Sequence, residues 1–134
     1  MFDDIEFLMA NPTAKIKSIK GCFDSNVFHG LVVKYDVDGE EVQAEPHFSN
    51  NASSGIYTVL ELDDDEVIKN VTGRAGSVIH RLRIITNKNK EFVWGVPDVE
   101  GLNQFNYKLG QHRNLRGFYG GFKGEFHNLG IYCD

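Results

Sequence analysis

The chain has 134 residues, enough for one domain with a core of ordinary size, and it needs neither metal nor disulfides to fold. Nineteen acidic against fourteen basic residues give a formal net charge of -5, with no long basic stripe, which argues against nonspecific binding to nucleic acid or anionic membranes. A hydrophobic content of 41% excludes a disordered chain, and no apolar run is long enough to span a bilayer.

Apolar residues alternate with period two far more than they recur at three and four. Ile16, Ile19 and Phe23 mark a first strand, 15–23. Residues 27–35 and 40–44 read as strand, turn and strand, because Asp38-Gly39 supplies the positive φ of a tight hairpin. Residues 45–55, with Pro46, Asn50, Asn51, Ser53, Ser54 and Gly55, read as a loop. Residues 56–62 form the next strand, and 66–72 alternates again after the break at Asp63-Asp64-Asp65. Gly73, Arg74, Ala75, Gly76 and Ser77 read as a loop. Residues 78–86 pair through Asn87-Lys88-Asn89 with 90–94, and 97–103 is a connection. Phe105, Tyr107 and Leu109 alternate. Residues 115–119 and 125–132 are the last strands, joined by a loop containing Gly120, Gly121 and Gly124.

No segment beyond the first dozen residues reads as an amphipathic helix, and there Ile5, Phe7 and Leu8 form no clean stripe. About ten short strands with regular turn signals imply an all-β sandwich, barrel or prism. The hairpins at 27–44, 78–94 and 115–132 have centres roughly 40 to 50 residues apart, the spacing of a threefold internal repeat.

Catalytic and metal motifs are missing. His29, His47, His80, His112 and His127 are scattered singly, without the short-spaced partner of a zinc site. No nucleophile elbow, phosphate loop or dinucleotide fingerprint occurs, so no cofactor is expected and an enzyme is the poorest reading. Asp63-Asp64-Asp65-Glu66 lacks the ligand alternation of a calcium loop and reads as a solvated turn. Cys22 and Cys133 are no disulfide scaffold and read as free thiols, although they would pair if the chain ends lay side by side. Met1-Phe2-Asp3-Asp4 is acidic where a secretory signal is basic. Two expectations stay open, a cytoplasmic protein or a processed domain of a longer secreted one. Only the second would give meaning to the sequons at Asn51 and Asn70.

From the middle onward the residues resemble a family. Glu61-Leu62 followed by residues 65–73 is similar to the "L…EYI…VSG" stretch of the jacalin-related lectins, and residues 78–88 resemble their "VIRSLTFKTNK". Trp94-Gly95-Val96 falls at their Gly-Pro-aromatic-Gly turn. Residues 115–121 resemble "IVGFFGRSG", and Leu129-Gly130-Ile131-Tyr132 resembles "IGVY". Phe2-Asp3-Asp4 is similar to the family's opening, and residues 32–39 to its "VVYDLNG" hairpin. The ordered set covers nearly all of residues 1–134 and implies a single domain: a β-prism I of three four-stranded antiparallel Greek-key sheets with pseudo-threefold symmetry.

The resemblance also implies sugar binding without catalysis. Backbone N–H groups on close glycine loops, and one carboxylate in a Gly-x-x-x-Asp loop before the last strand, meet the sugar hydroxyls. This chain departs from that pattern. Aligning Gly130-Ile131-Tyr132 with the family's ending places His127 at the Asp and Lys123 at the Gly. A shift by one gives Gly124-x-x-x-Asn128 and displaces the ending. Either register lacks the anionic acceptor, and no glycine segment precedes Phe2.

The candidate carbohydrate-binding residues are therefore Gly73, Arg74, Ala75, Gly76 and Ser77 in the middle loop, with Phe122, Lys123, Gly124, Glu125, Phe126 and His127 in the last. Neutral His127 accepts through one ring nitrogen, and Glu125 is a replacement carboxylate. Lys123 and Arg74 would suit an acidic or sulfated glycan, or an acidic protein surface. Phe118, Phe126 and Trp94 are expected inside, leaving Phe122 as the aromatic contact. The expected partners are glycans or glycoproteins, with no nucleic acid and no membrane insertion, and a homo-oligomer is expected from the resemblance. The competing reading is an interaction or structural module of a larger assembly that kept the prism and lost the sugar.

Overall fold

The computed structural model describes residues 2–24, 27–48, 55–95, 103–109, 113–123 and 125–133; of residues 2, 122, 123 and 125–127 it describes the backbone alone. Period-two alternation is realised as three antiparallel sheets. The first contains β2 (Lys15–Phe23), β3 (Phe28–Val37), β4 (Glu40–Gln43) and β6 (Ile56–Glu61), in the order β4-β3-β2-β6. A two-residue strand, β5 (His47–Phe48), also pairs with β3. The second sheet is β10 (Asn103–Lys108), β7 (Ile68–Ala75), β8 (Ile79–Thr86) and β9 (Glu91–Gly95), in that spatial order. The third is β1 (Phe2–Asp3), β11 (Leu115–Lys123) and β12 (Glu125–Cys133).

Each expected hairpin falls in a different sheet, which gives the threefold spacing its structural meaning. The β3–β4 turn has the predicted chemistry: Asp38 and Gly39 both take positive φ, 54° and 91°, and Gly39 N–H donates to Asp36 Oδ1 at 2.8 Å.

The sheets turn their apolar faces onto one core. Ile19, Phe28, Leu31, Tyr35 and Leu60 enter it from the first sheet, Ile68, Val71, Leu82, Ile84 and Trp94 from the second, and Phe118 and Leu129 from the third. Polar bonds cross between the sheets. Trp94 Nε1–H donates to Thr58 O at 3.3 Å, joining the second sheet to the first. Tyr107 O–H donates to Leu129 O at 3.1 Å, joining the second to the third. Trp94 and Phe118 are fully buried, as expected. Cys22 is buried and Cys133 exposed, and neither is in a disulfide.

Three expectations need correction. A helix, α1 (Ile5–Ala10), occupies the first dozen residues. It is shorter than two turns, so a 3.6-residue period has too little length to register. Its ends are set locally: Ile5 N–H donates to Asp3 Oδ1 at 2.9 Å, and Asn11 donates to Phe7 O at 2.9 Å through Nδ2 and at 3.0 Å through its backbone N–H. Second, β5 lies inside the expected loop 45–55. Third, β7 runs through Gly73, Arg74 and Ala75, and β11 through Gly120 and Gly121, where loops were expected. Residues 49–54, which include the Asn51 sequon, and residues 97–102 of the expected 97–103 connection lie outside the described residues.

Candidate functional site

Strand direction gathers the candidate segments at one end of the prism. Thr13 to Ile16, Leu62, Glu66 to Ile68 and Asn114 to Arg116 line one hollow, so β2, β7 and β11 all start beside it. Their far ends, at Phe23, Ala75 and Lys123, therefore share the opposite end. The turn at 76–78 follows Ala75 there, and the β11–β12 tip follows Lys123. β1 runs antiparallel to β11, with Phe2 opposite Gly120, so the start of the chain is directed to the same end.

The five middle-loop candidates divide between strand and turn. Gly73 is buried in β7, opposite Leu82 on one side and Phe105 on the other. A Cβ there would lie 2.2 Å from the Phe105 ring and 2.3 Å from Arg81 O, so this glycine admits a neighbouring ring and carbonyl instead of serving a loop. Arg74 is half-buried, with Arg81 directly opposite on β8 and Gln104 on β10. Ala75 pairs with Ile79 and Asn103, leaving His80 as an extra, bulged residue. Only Gly76 and Ser77 are exposed turn residues; Gly76 N–H donates to Val78 O at 3.0 Å.

In the last hairpin the ladder continues to the tip, with Phe122 opposite Phe126 and Lys123 opposite Glu125. Gly124 lies outside the described residues, as do the side chains of Phe122, Lys123, Glu125, Phe126 and His127. The register shifts between Gly121–Asn128 and Phe122–Phe126, so the backbone of His127 is the bulged position of β12. Asn128 is exposed, and its amide group lies next to Gly121. Lower in the sheet, a Cβ on Gly130 would lie 2.1 Å from the Tyr119 ring, which pins the glycine of the Leu129-Gly130-Ile131-Tyr132 ending to its place. Tyr132 O–H donates to Asp3 Oδ1 at 2.8 Å and fastens β1; that bond pushes the phenol pKa up to about 12.

Sequence reasoning missed a neighbouring feature. Arg74, Arg81, Arg83, Glu91, Gln104 and Thr72 line a polar groove on the outer face of the second sheet. Arg83 Nη2 donates to Glu91 Oε2 at 2.9 Å, and this bond holds the Glu91 carboxyl below the usual range. The alternation Arg81-Leu82-Arg83-Ile84 carried the signal, since Leu82 and Ile84 are fully buried. At the acidic run, Glu66 is fully buried and tied to Thr86, Asp63 and Lys90, so only its neighbours form the expected solvated turn. Among the described residues no cluster of His, Cys, Asp and Glu is arranged to hold a metal ion.

The family model of the jacalin-like lectin domain matches residues 4–132. The chain belongs to that family. Jacalin-like lectin structures superpose on it over most of their length. Frutalin from Artocarpus incisa in complex with galactose aligns at a TM-score of 0.78 with 23% identity, covering 89% of this chain and 91% of that one, a likeness that carries the fold alone. The lectin MPA complexed with T-antigen disaccharide aligns at 0.77 with 26% identity, over 88% and 90% of the two chains. Artocarpin complexed with methyl-α-mannose aligns at 0.77 with 25% identity, over 88% and 82%. Among curated protein sequences none matches the chain. The jacalin-like fold accounts for the three-sheeted prism, and membership supports carbohydrate binding as the general activity.

Proposed function

We propose that this chain is a non-catalytic carbohydrate-binding module whose glycan seat is the prism end formed by the 76–78 turn and the β11–β12 tip. The observation that carries the reading is the convergence of that turn, that tip and the N-terminal strand at one end of a jacalin-like prism. Gly76 and Ser77 contribute exposed polar backbone, and Phe122, Lys123, Gly124, Glu125, Phe126 and His127 the opposing tip. Gly73 and Ala75 support the turn from within β7. In the alignment that keeps Gly130 with the family's ending, His127 takes the place of the two-oxygen acceptor, and the Tyr119 ring, which leaves no room for a Cβ at 130, supports that alignment. A carboxylate bond is worth ~1.5–3 kcal/mol against ~0.5–1.5 for a neutral one, so neutral monosaccharides bind weakly. Basic side chains shift the preference toward acidic or sulfated glycans.

The missing carboxylate also favours a second reading, a module that binds an acidic protein surface or a second copy of itself and no sugar. Thermal denaturation with methyl-mannoside, methyl-galactoside and sulfated sugars separates the two. A sugar bound to the native state adds RT ln(1 + [L]/Kd), about 2.7 kcal/mol at a hundredfold excess over Kd, and raises the Tm. His127→Ala or Glu125→Ala erases that rise on the first reading. A Tm unmoved by every sugar rejects it.

A further inference from the structure

The outer face of the second sheet holds a concentration of positive charge that the proposed sugar seat does not explain. The chain carries a net charge of -5, yet the groove on this face is lined by three arginines and one acidic residue. Two cross-strand rows set the geometry. In the first, Gln104, Arg74 and Arg81 stand side by side on β10, β7 and β8. In the second, Asn106, Thr72 and Arg83 do the same. Arg74 and Arg81 are directly opposite each other, so an anion seated between the two strands would meet both guanidinium groups. The hydroxyl of Thr72 and the amide of Gln104 supply uncharged partners on either side.

We propose that this groove is an anion subsite for the sulfate groups of a sulfated glycan, contiguous with the sugar seat and distinct from it. The inference rests on the carbohydrate-binding reading and moves the anionic selectivity from the hairpin tip to the sheet face. Contiguity follows from strand geometry. Arg74 precedes the exposed Gly76 by two residues, and at ~3.3 Å per residue the groove begins ~7 Å from the turn. A glycan seated on the turn reaches the arginines within its next one or two rings. Guanidinium groups suit sulfate because their planar N–H pairs meet two oxygens at once, which a lysine ammonium cannot reproduce. Glu91 is bound to Arg83 and tempers the field at one edge of the groove.

The test is calorimetric titration of the full chain with four probes. These are a heparin-derived octasaccharide, its chemically desulfated counterpart, a hyaluronan octasaccharide bearing carboxylates only, and an oligothymidylate bearing phosphodiesters. The sulfated probe binds, and the other three bind at least about tenfold more weakly, the difference expected for one lost charge-assisted contact. Arg81→Gln and Arg74→Gln each weaken the sulfated probe about tenfold or more, and Arg81→Lys falls between them and the parent. Lys88→Gln removes the same charge from the turn at the opposite end, where Lys88 pairs with Asp63 and Asp65, and leaves binding unchanged. Glu91→Gln strengthens binding severalfold by removing the competing anion. Melting curves establish that each variant folds, and Arg74→Gln gives the same reading if Arg81→Gln does not fold.

Equal losses from Arg81→Gln and Lys88→Gln overturn the proposal, because net charge alone would then explain binding. So does equal affinity for oligothymidylate or hyaluronan, or no binding of the sulfated probe. A neutral sugar that raises the Tm while the sulfated probe fails leaves the prism-end seat standing and removes the groove. Sulfated binding lost in Arg81→Gln, with every neutral sugar inert and His127→Ala without effect, does the reverse.

Discussion

His47 Nε2 lies 2.8 Å from Asp4 Oδ1, and both side chains are about 5% exposed. The two residues are 43 positions apart; Asp4 leads from β1 into α1, and His47 begins β5. The bond ties the N-terminal segment of the third sheet to the edge of the first. It also helps to hold β5, whose two residues pair with Gly30 and Leu31.

Removing either partner leaves a buried polar group without that bond. Asp4→Ala and His47→Ala are each expected to cost ~2–3 kcal/mol in urea unfolding, with a coupling of ~1–2 kcal/mol in the double-mutant cycle. The pair His29–Asp24 is an internal control. It is as short, at 2.7 Å, but the Asp24 side chain is 32% exposed, so its coupling is smaller. Equal couplings at the two sites would show that burial is not what strengthens the Asp4 bond.

Glu66 is a buried carboxyl expected to contribute to the loss of stability in acid. Burial alone would raise its pKa, but Thr86 O–H donating at 2.6 Å, Asp63 N–H at 3.1 Å and Lys90 Nζ at 3.2 Å outweigh that and lower it. A carboxyl with a lowered folded-state pKa contributes stability that is complete above its unfolded value of ~4.3 and is lost as pH falls through the folded value. Stability is therefore expected to decline below about pH 4.3. Glu66→Gln is expected to cost ~1.5–3 kcal/mol at pH 7 and to flatten that decline, since the amide does not titrate. Urea titrations at pH 7, 5 and 3.5 check both effects, and an unchanged slope in the variant assigns the acid limit to other carboxyls.

Gly73 separates a structural glycine from a ligand-binding one. Gly73→Ala drives a methyl group into the Phe105 ring and Arg81 O, at an expected cost of ~1–3 kcal/mol. Phe105→Leu clears part of that space and is expected to recover some of the loss in the double variant. Thermal melts of the three proteins decide it. A Gly73→Ala protein of parental stability that has lost sugar affinity would return Gly73 to the binding loop.

That glycine also shows where local sequence stops being informative. Alternation located nearly every strand, because a strand with one buried face writes its period into the chain: β2 ends at Lys15 and Phe23, as read from Ile16, Ile19 and Phe23. The Asp38-Gly39 turn was legible for the same local reason. Gly73, Gly120 and Gly121 resembled loops since glycine is the commonest turn signal, yet all three lie in strands. What places Gly73 in a strand is its pairing with Leu82 and Phe105, and what requires glycine there is the Phe105 ring, contacts no local window contains. β5 and α1 are too short to carry a period and depend on distant partners. The bulges at His80 and His127 shift the alternation by one residue, so facing and register near both candidate segments could not be read directly.

The bulge at His127 yields the sharpest test of the proposed sugar seat. The Tyr119 ring leaves no room for a Cβ at Gly130, which supports the alignment that puts His127 and not Asn128 at the proposed acceptor position. The backbone of β12 is bulged at this residue. Restoring the carboxylate with His127→Asp should therefore strengthen binding of a neutral monosaccharide by about tenfold, the difference between a charged and a neutral hydrogen bond. Asn128→Asp, which adds the same charge one residue along, should change affinity by less than about twofold, because an exposed charge outside the acceptor position is screened. Titrations with methyl-galactoside and methyl-mannoside decide between them. A gain in Asn128→Asp alone would move the acceptor to Gly124-x-x-x-Asn128, and no gain in either would mean that this hairpin does not seat the sugar.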